Sequence, residues 1–213
     1  MLFSRLFSSQ SSKKQKEQPE KKSLEEIMAK TRETQQQIEY QNDLLGRVNE
    51  ARAKYKEDGD LDAVIKVFEY AFREADPPCI SSQNLDLVDF YIKAGLYDKA
   101  WGYLEYLNWN SLAPLEKIRF AQARISKKEN RYLDAIQMYM LGYLAKSEWN
   151  DTFQKDMFMK DIQSSANKLG WDNDKREYLA YLVGNNVKQG CYDGLELIAS
   201  YKKFLYDIGA IQD

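Results

Sequence analysis

Three turns of this chain carry nearly the same letters: Gly59-Asp60-Leu61-Asp62, Gly95-Leu96-Tyr97-Asp98-Lys99-Ala100 and Asn130-Arg131-Tyr132-Leu133-Asp134-Ala135. The small or β-branched residue just after each turn falls at Val64, Ala100 and Ala135, in steps of 36 and 35 residues. A fixed period of that size marks a repeated supersecondary unit that buries its apolar face only by stacking on its neighbours. No segment alternates apolar and polar residues as a half-buried strand does, so the expected class is all-α, about nine helices paired as hairpins with short turns.

The second unit reads Leu87-Val88, Tyr91, Gly95, Tyr97, Ala100, Leu104 and Leu107. The first reads Ala51, Tyr55, Gly59, Leu61, Val64, Phe68, Ala71 and Asp76-Pro77, and the third Gln122-Ala123, Tyr132, Ala135, Tyr139 and Gly142. On these residues the chain resembles the tetratricopeptide (TPR) family over about residues 45 to 208. A fourth unit is drawn at Leu182-Val183, Gly190, Tyr192, Leu195 and Ala199; the longer step before it leaves room for one extra helix over roughly 151 to 168. The resemblance implies a right-handed α-α superhelix of TPR-like hairpins whose concave groove holds a protein segment.

Helix boundaries follow from local chemistry. Pro77-Pro78 should end the helix that starts near Leu61, and Pro114 stands where a first-turn proline is tolerated. Asp151 with Gln154, and Asp172 or Asn173, read as helix starts; Gly170 and Gly190 read as stops. Ahead of the repeats, Ser23 and Glu26 form a capping box. From there Leu24, Ile27, Met28, Thr31, Ile38, Leu45 and Val48 recur at near-heptad spacing. A long N-terminal helix is expected. Its polar middle, Thr31, Thr34 and Gln35, favours leaning on the repeats over forming a self-standing coiled-coil dimer. Residues 8 to 22 hold nothing that could build a core, so residues 1–22 are expected to be a disordered tail and residues 23–213 the repeat domain.

Composition narrows the function. The 213 residues are 44% hydrophobic and 30% charged, with a formal net charge of −2, so there is no global basic field to attract nucleic acid. Two cysteines, Cys79 and Cys191, lie far apart, as suits reduced thiols in a cytoplasm-like compartment. No apolar run reaches the ~18 residues of a membrane span. Ser4 and Arg5 break the opening Met1-Leu2-Phe3-Ser4-Arg5-Leu6-Phe7 too early for a secretory signal. Weak membrane contact through residues 1–7, or a mitochondrial transit role, stays open beside the reading as a tail.

Chemistry has little to work with. The chain has no histidine, the commonest general base near neutral pH and the commonest transition-metal ligand. Neither cysteine has a histidine to activate it. Asp172-Asn173-Asp174 opens like a calcium loop, but Arg176 takes the third ligand position. No Gly-rich phosphate loop occurs. The expectation is a non-enzyme with no cofactor and no metal.

More telling is a second stripe on the first helix of each hairpin, at the i, i+4, i+7 spacing that shares one helix face. It comprises Asn49, Ala53 and Lys56 in the first unit, Leu85, Asp89 and Ile92 in the second, Phe120, Arg124 and Lys127 in the third, and Ala180, Gly184 and Val187 in the fourth. By the resemblance, this stripe lines the concave groove. The partner-facing candidates are therefore Lys56, Leu85, Asp89, Ile92, Lys93, Phe120, Arg124 and Lys127, although Leu85, Ile92 and Phe120 would serve equally as packing between repeats. With Lys93 and Lys128 the face is biased basic, suiting an acidic or C-terminal peptide. The carboxylate clamp of chaperone-binding TPR domains is not matched: Lys117 fits it, but Asn49, Ala53, Asp86 and Ala121 do not. The expected function is a protein-interaction module, acting as adaptor, regulator or antitoxin-like binder; the alternative is a membrane-peripheral assembly subunit anchored by Leu2, Phe3, Leu6 and Phe7.

Overall fold

The structure is a computed structural model that describes residues 24–146, 152–189 and 194–212. Among the described residues it is all helix, with nine α-helices and no strand. The expected tail 1–22, Ser23, the helix start at Asp151, the stop at Gly190, Tyr192 and Cys191 lie outside the described residues. The chain divides into two units, one ending at Tyr40 and one running from Gln41 to Asp213. Helix α1, Leu24–Asp58, contributes to both.

In the first unit, α1 is solvated on nearly all sides, with Leu24, Ile27, Met28 and Ile38 exposed. The threonines that weaken its apolar seam turn inward on their own helix: Thr31 and Thr34 donate hydroxyl hydrogen bonds of 2.8 Å to the carbonyls of Ile27 and Lys30. Glu25 and Glu26 sit in its first turn, where a negative charge is favourable.

The second unit starts where α1 becomes buried, at Leu44 and Val48, one turn apart on one face; Leu45, expected in the seam, is only half-buried because it lies one residue round the helix from Leu44. Gly59, at φ +72°, closes α1, and the Asp60 carboxylate accepts from the Ala63 amide to start α2, Leu61–Glu69. The expected helix does not run unbroken to Pro77: α2 gives way to a π-helical turn over Tyr70–Glu74. Then follow α3 (Asn84–Lys93), α4 (Tyr97–Trp109), α5 (Leu115–Lys128) and α6 (Tyr132–Ala145). Next come α7 (Thr152–Lys168), α8 (Asn173–Gln189) and α9 (Leu195–Asp207).

The turns after α3 and α5 are the same turn, 35 residues apart. Leu96 N–H donates to the Tyr91 carbonyl at 2.9 Å, and Arg131 N–H to the Ser126 carbonyl at 2.8 Å. Gly95 and Asn130 take the left-handed conformation there, at φ 72° and 60°. Glycine has no side chain to clash in that conformation, and asparagine is among the few other residues that adopt it readily. Past each turn the next helix presents Ala100 or Ala135, both fully buried, and Val64, Phe68, Leu104 and Tyr139 are buried with them. Small residues at these points let paired helices approach closely.

Packing follows chain order, α2 on α3, α3 on α4, α4 on α5 and α5 on α6, until α7. That helix packs on both α6 and α8, so the C-terminal part closes around one core. Phe158, Ile162 and Ala166 of α7 join Tyr139, Tyr143, Leu179, Val183, Leu197 and Tyr201 there. Tyr143 donates to the Asp161 carboxylate at 2.8 Å, which ties α6 to α7, and Tyr201 donates to the Leu133 carbonyl, which ties α9 to α6.

Candidate partner-binding face

The first helices of successive hairpins meet through polar side chains. Gln83 at the start of α3 donates to Asn49 of α1, and Arg52 of α1 pairs with Asp86 of α3. One turn further along α3, Asp89 pairs with Arg124 of α5 at 2.7 Å. These contacts align the C-terminal part of α1 with α3 and α5 along one face. Both ion pairs remain partly open to solvent, so they set register more than they add stability.

A groove of ≈ 380 Å³ runs between α1 and α3, lined by Arg52, Tyr55, Lys56, Asp86, Asp89, Phe90 and Lys93. Three of the sequence-derived candidates, Lys56, Asp89 and Lys93, come together there, and Arg124 adjoins it through Asp89. The groove holds three cations and two carboxylates. The Lys93 ammonium lies 5.2 Å from the Tyr55 ring centre and 5.3 Å from that of Phe90, so aromatic faces rather than a carboxylate balance it. Lys56 is exposed and Lys127 half-buried, and among the described residues neither has an ion-pair partner.

The apolar candidates are placed differently. Leu85 lines a second hollow, of ≈ 400 Å³, where α3 and α5 begin, together with Ile80, Ser81, Ser111 and Lys117. Ile92 is half-buried on α3. Phe120, also half-buried, turns its ring onto α6 against Tyr139 and Tyr143, at 6.1 and 5.2 Å between ring centres. Gly142 makes that possible, since a Cβ there would stand 2.4 Å from the Phe120 ring. Lys146 then covers the same ring at 5.2 Å. Phe120 is thus tied into the α5–α6 hairpin.

The fourth stripe does not continue this face. Ala180, Gly184 and Val187 are buried, because α7 packs on α8 and its apolar residues share a core with Ala180 and Val187. Lys155 of α7 pairs with Glu177 of α8 across that junction. The exposed stripe therefore spans α1, α3 and α5 only. Spacing alone could not reveal this, since the covering helix comes from a part of the chain outside the repeat.

Sequence reasoning passed over Arg52 and Tyr55 as groove residues. The one signal for Arg52 lay in the resemblance to TPR units, where a small residue is usual at its place; from there it reaches Asp86 and lies 5.9 Å from the Phe68 ring centre. Cys79 is buried, and burial pushes its thiol above its ordinary range, which keeps it protonated and a poor nucleophile. Asp172 serves as a helix cap, accepting from the Lys175 amide at 3.0 Å. Among the described residues no helix is long and apolar enough to cross a membrane.

No family model matches the chain, and neither the curated proteins nor the solved structures include a match to it.

Proposed function

We propose that the chain is a protein-interaction module whose hairpins stack as a TPR-like right-handed superhelix and hold an extended acidic segment of a partner along the α1, α3 and α5 face. The observation that carries the reading is the groove between α1 and α3, where Lys56, Asp89 and Lys93, candidates by the TPR resemblance, line one hollow with Tyr55 and Phe90. Its cations outnumber its carboxylates, and Arg124 and Lys127 extend that excess along the face. Ion pairing engages Asp86 with Arg52 and Asp89 with Arg124, so among the described residues Lys56 and Lys127 are cations of this face that have no carboxylate partner and can meet an incoming one. Tyr55, half-buried and backed edge-on by the buried Phe90 ring, supplies the flat apolar contact that often anchors such segments.

The test is selection from a displayed random-peptide library, followed by titration of the selected peptide against wild type and an Arg124→Glu/Lys127→Glu variant. Acidic peptides should be enriched, and the variant should bind about tenfold more weakly or worse. Its melting midpoint should stay near wild type, because Arg124 is exposed and Lys127 keeps part of its surface in solvent, and such solvated charges contribute only about 0 to 1 kcal/mol each. Full affinity in the folded variant, or selection of basic peptides, would overturn the reading.

A further inference from the structure

The stack of hairpins has an open end. Among the described residues, helices α3 to α6 each pack on a helix before and after them, whereas α2 packs on α3 and on the π-helical turn that continues it. A groove of ≈ 500 Å³ lies between α1 and α2, with no residue of α3 in its lining. Ala51, Val67 and the exposed Tyr70 give that groove an apolar floor. A solenoid end of this kind normally needs a polar cap or a covering partner.

The rim says what the covering partner is. Arg47, Glu50, Lys54 and Asp58 line the groove from α1 and alternate in sign along it. Read backwards, the order is the opposite charge at every place. A second α1 laid antiparallel across a two-fold axis near the middle of this stretch sets Arg47 against Asp58 and Glu50 against Lys54, each pair made twice. The axial mismatch between the two pairings is about one residue's rise, roughly 1.5 Å. Ala51, beside the axis, is small enough to admit the close helix approach this requires. Arg47 is held only by a surface pair with Asp43, both side chains more than half exposed, so it is free to exchange partners at little expense. A foreign partner would need the complementary order but would give no reason for the order to be its own complement.

We infer that the open α1–α2 face is an isologous interface at which two copies of this chain associate, with Glu50 of one copy against Lys54 of the other and Arg47 against Asp58.

Sedimentation equilibrium of the full chain, from micromolar to submillimolar concentration, tests this. Wild type should be a dimer in that range. Glu50→Lys and Lys54→Glu should each weaken it about tenfold, since each turns two attractive contacts into two repulsive ones. The double variant Glu50→Lys/Lys54→Glu should recover nearly wild-type association, and Ala51→Arg should abolish it; unchanged melts would show that all remain folded. A monomeric wild type overturns the inference, as does a dimer indifferent to both single variants, or single variants that the double does not rescue. Loss of the dimer only in Ile27→Asn/Ile38→Asn would place the contact on the exposed seam of α1 and equally overturn it.

Discussion

The hairpins formed by residues 41–110 and the bundle formed by α6 to α9 carry the same helix-face spacing to opposite ends. On α3 the stripe Leu85, Asp89 and Ile92 stays partly open and takes part in ion pairing and groove lining. On α8 the stripe Ala180, Gly184 and Val187 is sealed by α7. Small residues on α8 allow that helix to come close, while the larger and charged residues of α3 keep neighbours at a distance. A repeat therefore supplies a surface only where nothing else in the chain is shaped to cover it. What remains of the α8 stripe is a hollow of ≈ 230 Å³ that Lys155 and Glu177 help to line.

If α7 is what separates the two regions, removing its largest buried anchor should have the greatest effect. Phe158 is fully buried and stands edge-on to Tyr143 at 5.5 Å. Phe158→Ala should lower stability by about 3 to 5 kcal/mol, read by denaturant unfolding, and should increase binding of a hydrophobic dye. A loss below about 1 kcal/mol would mean that α7 does not seal α8.

The equivalence of the two matching turns is open to a sharper test. Ala100 and Ala135 are both fully buried just past the same turn. Replacing either by Leu overpacks its junction, and each should cost about 1 to 3 kcal/mol. Similar losses would support one repeat used twice. A clear difference would show that the consolidated bundle resists overpacking differently from the hairpins.

A smaller effect distinguishes the hairpin region by pH. Burial pushes the Glu69 carboxyl up, but hydrogen bonds from Lys99 at 2.8 Å and Tyr91 at 2.7 Å outweigh it, leaving the group below its ordinary value of 4.5. A carboxyl depressed in the folded state contributes stability that is present above its unfolded value and is lost as pH falls through the folded one. Wild type should therefore lose part of its stability below pH 4.5, and Glu69→Gln should flatten that part of the acid limb. Identical acid limbs would remove Glu69 from the account.

Much of the helical framework was legible without coordinates. Gly95 and Asn130 at one spacing, followed by Ala100 and Ala135, announce a turn and a close helix approach by local chemistry alone: left-handed backbone and small side chains are properties of single residues. The space for α7 could likewise be counted from the longer step before the fourth unit. The candidate face was legible only in part. Lys56 and Asp89 of two stripes, with Lys93 beside them, line one groove, and spacing accounts only for the face each takes on its own helix. What that face meets depends on neighbours distant in sequence. The pairing of Asp89 with Arg124, the seating of Phe120 over Gly142 and the covering of Ala180 and Val187 by α7 were decided only by tertiary packing. Burial and charge pairing belong to at least two segments at once, and no single segment carries them.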